Sequence, residues 1–235
     1  MPSENPDTFF SVQGLYKSFS SYQILKDVSF KVAKGSCVLL LGANGAGKST
    51  LLKICAGLIR PESGQVIFPE DQSKSRSIGY SGHQLMLYSN LTVEEHLNLM
   101  MSAASQEYSK SELLENWNLS EYKKKRINQL SRGLQFRVSL ALTLFNNPKF
   151  IFLDEPSSSF DDNTIELMHS RIQSSISNGF AIIATHDIDR SIKIADRVMV
   201  IKDSKIAYDS EEAAKGGKTS NAIEDGINFY RTYNR

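Results

Sequence analysis

The sequence has few cysteines and almost no net charge, and each of these features excludes a class of site or partner. The two cysteines, Cys37 and Cys55, fall in a predicted strand and a predicted helix, where burial is more typical than a disulfide or metal site. The 27 basic and 26 acidic residues give a net charge of +1, so no strong field attracts nucleic acid. We therefore expect no cysteine chemistry and no nucleic-acid partner.

Long apolar runs are also missing. The longest, at 38–42 and 150–153, have the length of strands, whereas a membrane span needs about 20 apolar residues. Residues 1–10 lack the basic region followed by an apolar one that marks a signal peptide. These absences predict a cytoplasmic chain.

Strand-like and helix-like segments alternate along the sequence. Runs of β-branched and aromatic residues predict strands at 28–32, 37–41, 66–68, 150–154, 181–185 and 198–202. Helical apolar spacing predicts helices at 48–59, 92–104, 111–118, 133–146, 161–177 and 187–195. Because several strands are apolar throughout, we predict an α/β fold whose central sheet is covered on both faces.

The predicted helices are unevenly distributed. Those between 92 and 146 follow one another without a strand, which indicates a helical subdomain at about 83–147. It would be inserted into a core formed by about 1–82 and 148–210. Residues 211–235 are polar and interrupted by glycine, and we interpret them as a surface tail, helix or loop, without an assigned role.

A glycine-rich segment, GANGAGKST at 42–50, matches the pattern G-x-x-x-x-G-K-[ST] between a predicted strand and a predicted helix. In such a phosphate loop the backbone N–H groups converge on phosphate oxygens, Lys48 reaches the β- and γ-phosphates, and the Ser49 hydroxyl binds Mg²⁺. The loop therefore predicts a nucleoside triphosphate site. Its expected contacts are Gly42, Asn44, Gly45, Ala46, Gly47, Lys48, Ser49 and Thr50.

Two acidic residues follow the apolar residues of the strand predicted at 150–154. Asp154 at the strand tip can hold Mg²⁺ through water, and Glu155 can polarise a water for in-line attack on the γ-phosphate. An isolated Asp-Glu pair is more typical of a solvated turn. After a buried strand, in a chain with a phosphate loop, we interpret the pair as catalytic.

The stretch LSRGLQFRVSLA at 130–141 predicts a helix with Ser131, Arg132 and Gly133 at its start. Free N–H groups and the positive end of the helix dipole point outward from such a start. This arrangement suits a negatively charged ligand.

With these motifs, residues 9–210 resemble the ATP-binding subunits of ABC transporters. The resemblance implies a P-loop NTPase (RecA-like) core with a β-rich N-terminal part, ATP and Mg²⁺ as ligands, and ATP hydrolysis. In that family the helix start faces the γ-phosphate of ATP held by a second subunit, so Ser131 and Gly133 would contact ATP across a homodimer or heterodimer.

Arg132 and Leu134 stand where the family motif LSGGQ has glycine and glutamine. Arg132 either adds charge near the phosphate or points to solvent.

The resemblance assigns a loop glutamine to His83 or Gln84, either of which could reach Mg²⁺ and the attacking water. We favour Gln84, and His83 could instead be a surface histidine. The tripeptide GHQ at 82–84 resembles the ATP-binding subunits of haem exporters used in cytochrome c maturation.

Three further elements follow from the same resemblance. Residues 158–161 (Ser158, Ser159, Phe160 and Asp161) resemble the SALD element, which couples the two sites of the dimer. His186 resembles the switch histidine, which donates to the γ-phosphate and ties Glu155 to the presence of ATP; a solvated strand-end histidine is the alternative. Phe19 matches the aromatic residue that stacks on adenine, with Tyr16 and Tyr22 as competitors and core packing as the alternative.

The family also implies a transmembrane permease subunit, which would hold this chain on the inner face of the cell membrane. The segment LMLY at 85–88 is a candidate docking surface, although these side chains could equally belong to the core of the helical subdomain.

Soluble ABC-type ATPases would need long coiled-coil insertions or two cassettes, and a guanine-specific switch protein would need NKxD. Neither feature occurs here, so transport is the predicted function, with haem, another small solute or a lipid as the cargo.

Overall fold

The computed structural model describes residues 8–69, 77–82, 84–102, 109–156, 160–216 and 221–234. Two sheets and a set of helices account for most of them. The strands are β1 (Thr8–Phe19), β2 (Tyr22–Ala33), β3 (Cys37–Leu41), β4 (Ser63–Ile67), β5 (Ile78–Ser81), β6 (Phe150–Asp154), β7 (Phe180–Ala184), β8 (Arg197–Lys202) and β9 (Lys205–Asp209). The α-helices are α1 (Lys48–Cys55), α2 (Val93–Ser102), α3 (Lys110–Asn116), α4 (Arg132–Leu144), α5 (Asp162–Ile176), α6 (Ile188–Ser191), α7 (Ser210–Lys215) and α8 (Ala222–Tyr233).

The larger sheet has the strand order β5-β6-β7-β3-β8-β9 and is parallel except for β9. Its central strands β3, β6 and β7 are buried at every position. Alternate residues point to opposite faces, so Leu39 joins the apolar cluster on the helical side while Leu40 joins the other cluster. The predicted α/β fold, with a sheet covered on both faces, is confirmed.

The smaller sheet is antiparallel, in the order β2-β1-β4, and it packs over α1 and one face of the larger sheet. The strand predictions missed β1, β5 and β9. Strand β1 mixes polar and apolar residues and bends at Gly14, whose φ is +56°. Strand β5 has only four residues, and β9 lies at an edge and is half exposed. None of the three stands out as a run of β-branched and aromatic residues, which was the signal that those predictions used.

Helix α1 is shorter than predicted, ending at Cys55 instead of residue 59. Gly57 adopts a left-handed φ of +74°, and its N–H donates to the Ile54 carbonyl oxygen at 3.0 Å. A left-handed glycine just after the last turn is a common helix terminator, because it has no Cβ to clash.

Residues 93–144 contain helices α2, α3 and α4 and short 3₁₀ turns at 120–122 and 127–129. Trp117 is buried among apolar residues of these helices. Among the described residues, no helix is both long enough and apolar enough to cross a membrane.

Both cysteines are buried free thiols. Burial, reinforced by the nearby charge of Asp196, raises the pKa of Cys37 to about 12. Burial likewise raises the pKa of Cys55. Both side chains are therefore packing groups and poor nucleophiles.

Candidate functional site

The phosphate loop joins β3 to α1 at the carboxyl edge of the larger sheet. Gly45 and Gly47 have φ values of +80° and +104°, which glycine adopts at little cost. A Cβ on Gly47 would lie 2.9 Å from the carbonyl oxygen of Ile24. Gly47 is also the N-cap of α1, so this glycine both turns the chain and lets β2 approach the loop.

The Lys48 side chain is buried inside the loop. Its Nζ donates to the carbonyl oxygens of Gly42 at 2.6 Å and Ala43 at 3.2 Å. Burial lowers the pKa of Lys48, and the charges of Glu155 and Asp154 partly oppose that shift. The lysine therefore lies between the loop backbone and two acids, where a phosphate can accept from the same ammonium group.

A cavity of about 340 Å³ contains most of the predicted phosphate and metal contacts. Its lining is Ile24, Asn44, Gly45, Gly47, Lys48, Ser49, Thr50, Asp154 and Glu155. The fold brings the acids to the loop because β6 and β3 are parallel strands that end at the same edge of the sheet. Ile24 was missed by sequence reasoning, since one aliphatic residue in a strand carries no sign of a ligand.

Glu155 has a backbone conformation that is rare for a residue other than glycine, with φ +56°. Its N–H donates to the Ala184 carbonyl oxygen at 2.8 Å, which extends the pairing of β6 with β7 past the strand end. Strained backbone of this kind is concentrated at functional sites, where surrounding contacts hold it. Here it orients a buried carboxylate into the cavity.

His186 contacts this carboxylate directly. The Nδ1 atom of His186 lies 2.7 Å from Glu155 Oε2, and the His186 backbone N–H donates to the same oxygen at 3.2 Å. The imidazole is otherwise exposed, so Nε2 is the nitrogen left to face a phosphate. The structure thus joins the predicted water-polarising acid to the predicted switch histidine.

Two oxygen-bearing side chains in the cavity suit Mg²⁺, namely the Ser49 hydroxyl and the buried Asp154 carboxylate. The described part of the chain has no cluster of three or more His, Cys, Asp or Glu that could hold a metal alone. A nucleotide-associated Mg²⁺ ion usually takes one or two protein oxygens and completes its shell with phosphates and water.

Besides His186, six predicted site residues are not in the described lining of this cavity: Phe19, Gly42, Ala46, Gln84, Ser131 and Gly133. Gly42 and Ala46 line a second cavity, of about 410 Å³, which shares Asn44 and Gly45 with the first. Phe19, the last residue of β1, is 50% exposed, and the Lys17 ammonium lies 5.3 Å from its ring centre. Gln84 is exposed. The predictions for His83, Ser158 and Ser159 fall outside the described residues.

Ser131 is the N-cap of α4, and its Oγ accepts from the Leu134 N–H at 3.3 Å. The predicted helix start is therefore present. The Arg132 guanidinium lies 4.9 Å from the centre of the Phe136 ring. It packs back along its own helix, and Ser131 and Arg132 remain exposed.

Residues 25–158 match the family model described as ABC transporter, which is more than half of the chain. The chain belongs to the ABC transporter family. Proteins of this cassette type hydrolyse ATP to drive transport, and this chain is an ABC-type ATPase.

Curated relatives agree on the family and differ in what they transport. The chain is 33% identical over 207 residues to the uncharacterized ABC transporter ATP-binding protein YxlF of Bacillus subtilis (strain 168), covering 86% of this chain and 70% of the relative. It is 32% identical to the lantibiotic transport ATP-binding protein SrtF of Streptococcus pyogenes, covering 85% and 90%. It is also 32% identical to the Fe(3+) ions import ATP-binding protein FbpC of Haemophilus influenzae (strain 86-028NP), but spans only 60% of that relative's length.

Solved structures have the same fold. An ATP-binding subunit of an ABC transporter superposes with a TM-score of 0.80 at 23% identity, covering 95% of this chain and 100% of the other. The dimeric structure of MJ0796, a bacterial ABC transporter cassette, gives a TM-score of 0.72 at 25% identity, with coverage of 86% and 97%. The expected P-loop NTPase architecture is confirmed.

Proposed function

We propose that this chain is the ATP-hydrolysing subunit of an ABC transporter, that it dimerises around ATP, and that it drives a separate membrane-spanning subunit. One observation carries the proposal. Six residues of the phosphate loop line a single cavity together with Asp154 and Glu155, and His186 contacts Glu155.

Each residue then has a distinct task. Lys48 and the loop N–H groups hold the β- and γ-phosphates, and Ser49 and Asp154 hold Mg²⁺, which neutralises charge on the phosphates. Glu155 accepts the proton of the attacking water. His186 positions Glu155 through Nδ1 and presents Nε2 toward the γ-phosphate.

Dimerisation follows from the exposed start of α4. Ser131 and Gly133 begin an anion-seeking helix, yet they are not in the described lining of this chain's own phosphate cavity. A head-to-tail pair would place the helix start of each subunit against the ATP of the other. The similar fold of the dimeric MJ0796 cassette supports this arrangement. A homodimer and a heterodimer both satisfy it.

The segment at 85–88 divides into two sets of side chains. Leu85 and Leu87 are half-buried and pack against the core, whereas Met86 and Tyr88 are 68% and 65% exposed. Leu99 and Met100 add exposed apolar surface on α2, and a cavity of about 350 Å³ lies beside Met86, Leu87 and Met100. Exposed apolar side chains around a groove suit a partner helix, so we place the membrane subunit here.

Met86→Lys should prevent this chain from copurifying with its membrane subunit, because it puts a charge into an apolar contact. The ATPase activity of the isolated chain should stay within about twofold of wild type, since Met86 does not line the phosphate cavity. Leu58→Lys, which alters an exposed apolar residue elsewhere, is the matched control and should still copurify. Normal copurification of Met86→Lys would move the docking surface elsewhere.

The cargo is proposed separately. The tripeptide GHQ at 82–84 favours haem export, although the relatives described above are named for lantibiotic transport or iron import. Deleting the gene should then abolish haem-stained c-type cytochromes, and a Glu155→Gln copy should not restore them. Normal cytochromes in the deletion strain would exclude haem and favour another small solute or a lipid.

A further inference from the structure

Helix α8 packs against the larger sheet. The Tyr208 hydroxyl donates to the Ala222 carbonyl oxygen at 2.6 Å, and the Phe229 ring stacks on Tyr208 with centroids 5.7 Å apart. A Cβ on Gly226 would lie 2.8 Å from the Tyr208 ring. Residues 211–235, for which the sequence suggested no role, thus include a helix with a fixed, closely packed position.

The last turn of α8 faces the back of the phosphate loop. Phe229, Tyr230 and Tyr233 line one side of a cavity of about 410 Å³, and residues 42–46 line another part of it. Tyr230 is buried, and burial raises its pKa with a smaller contribution from the charge of Glu155. Helix α8 and the phosphate loop therefore line the same cavity.

The same turn is bonded to the segment that follows His186. Arg231 Nη2 lies 3.2 Å from Asp189 Oδ1, and Asp189 belongs to α6, which begins two residues after His186. The buried side chain of Ile188 on α6 joins the apolar cluster that contains Ile227 of α8. An ion pair and a shared apolar cluster thus link α8 to α6.

A second arginine holds the other side of this segment. Arg190 Nη1 donates to the Phe160 carbonyl oxygen at 3.0 Å, and Arg190 Nη2 lies 3.3 Å from Asp162 Oδ1. Helix α6 therefore contacts both the start of α5 and α8. Since His186 lies two residues before this helix and contacts Glu155, a shift of α6 would change the contact between His186 and Glu155.

We propose that Arg231 is a positioning residue for ATP hydrolysis, acting through Asp189 to hold the His186 segment against Glu155. The proposal rests on the function proposed above. An exposed ion pair adds little to overall stability, so its loss should leave the fold intact. Its effect should appear in the rate of the chemical step, which depends on the placement of His186 and Glu155.

Arg231→Gln should lower kcat for ATP hydrolysis about fivefold while the KM for ATP stays within about twofold, because the phosphate loop is unchanged. The melting temperature should change by less than about 2 °C. Arg231→Asp and Asp189→Arg should each slow turnover, and the double variant, which restores the pair with reversed charges, should recover most of it. Lys215→Gln, which removes a cation from α7, is the control and should keep wild-type kcat.

The outcomes separate the two proposals. If wild type hydrolyses ATP and Arg231→Gln keeps full kcat, the positioning role is wrong and the proposed function stands. If the Arg231→Asp/Asp189→Arg double variant turned over as slowly as the single variants, the positioning role would also be wrong. Residues 189 and 231 would then not affect hydrolysis through their ion pair. If wild type fails to hydrolyse ATP even with its membrane partner, both proposals fall.

Discussion

Glu155→Gln should lower ATP turnover at least about 100-fold, the usual contribution of a general base, and should accumulate an ATP-bound dimer. Glutamine keeps the size of the side chain but cannot take a proton from the attacking water. The phosphate loop and Lys48 are unchanged, so ATP affinity should stay close to wild type. Phosphate release measures turnover, and size exclusion with ATP measures the dimer.

The geometry at Glu155 favours this variant over an alanine. A glutamine Oε1 can still accept from the His186 backbone N–H, which now donates to Glu155 Oε2 at 3.2 Å. The switch segment should therefore keep its place. Glu166→Gln, an exposed acid on α5, is the matched control and should turn over normally. Wild-type turnover in Glu155→Gln would assign the base to another residue.

The parts of the site that could be predicted from sequence are those with local signals. Strands β3 and β6 have the predicted bounds, because each is an apolar run with a polar or glycine-rich segment at its end. The phosphate loop is recognisable because its glycines and Lys48 are contiguous in the chain. Their meeting with Asp154 follows from parallel strands ending at one edge of the sheet.

The parts that could not be predicted depend on tertiary contacts. The cavity lined by both α8 and residues 42–46 brings together segments far apart in sequence, and no motif marks it. The left-handed backbone of Glu155 occurs together with a hydrogen bond to Ala184, a residue of a different strand. The packing of Arg132 on Phe136 depends on the side-chain conformation of Arg132, which the sequence alone does not determine.

Ser131→Arg should abolish ATP-driven dimerisation while the monomer still binds ATP. The arginine places a long side chain at the exposed start of α4, where the γ-phosphate of the partner's ATP must approach the first-turn N–H groups. It also removes the Ser131 hydroxyl that caps Leu134, a loss that costs about 1 kcal/mol and should not unfold the protein. The phosphate cavity of the same chain does not include Ser131 in its described lining.

The cleanest measurement uses Glu155→Gln as the background, because hydrolysis then cannot dissolve the dimer. In the presence of ATP, the double variant Glu155→Gln/Ser131→Arg should elute as a monomer. Its Kd for a fluorescent ATP analogue should stay within about threefold of that of the Glu155→Gln single variant. Ser120→Arg, on an exposed 3₁₀ turn of the helical subdomain, adds the same charge and bulk and should leave the dimer intact. If the Ser131→Arg variant still formed an ATP-bound dimer, the start of α4 would not bind the partner's nucleotide. The head-to-tail pair would then no longer explain how two copies associate.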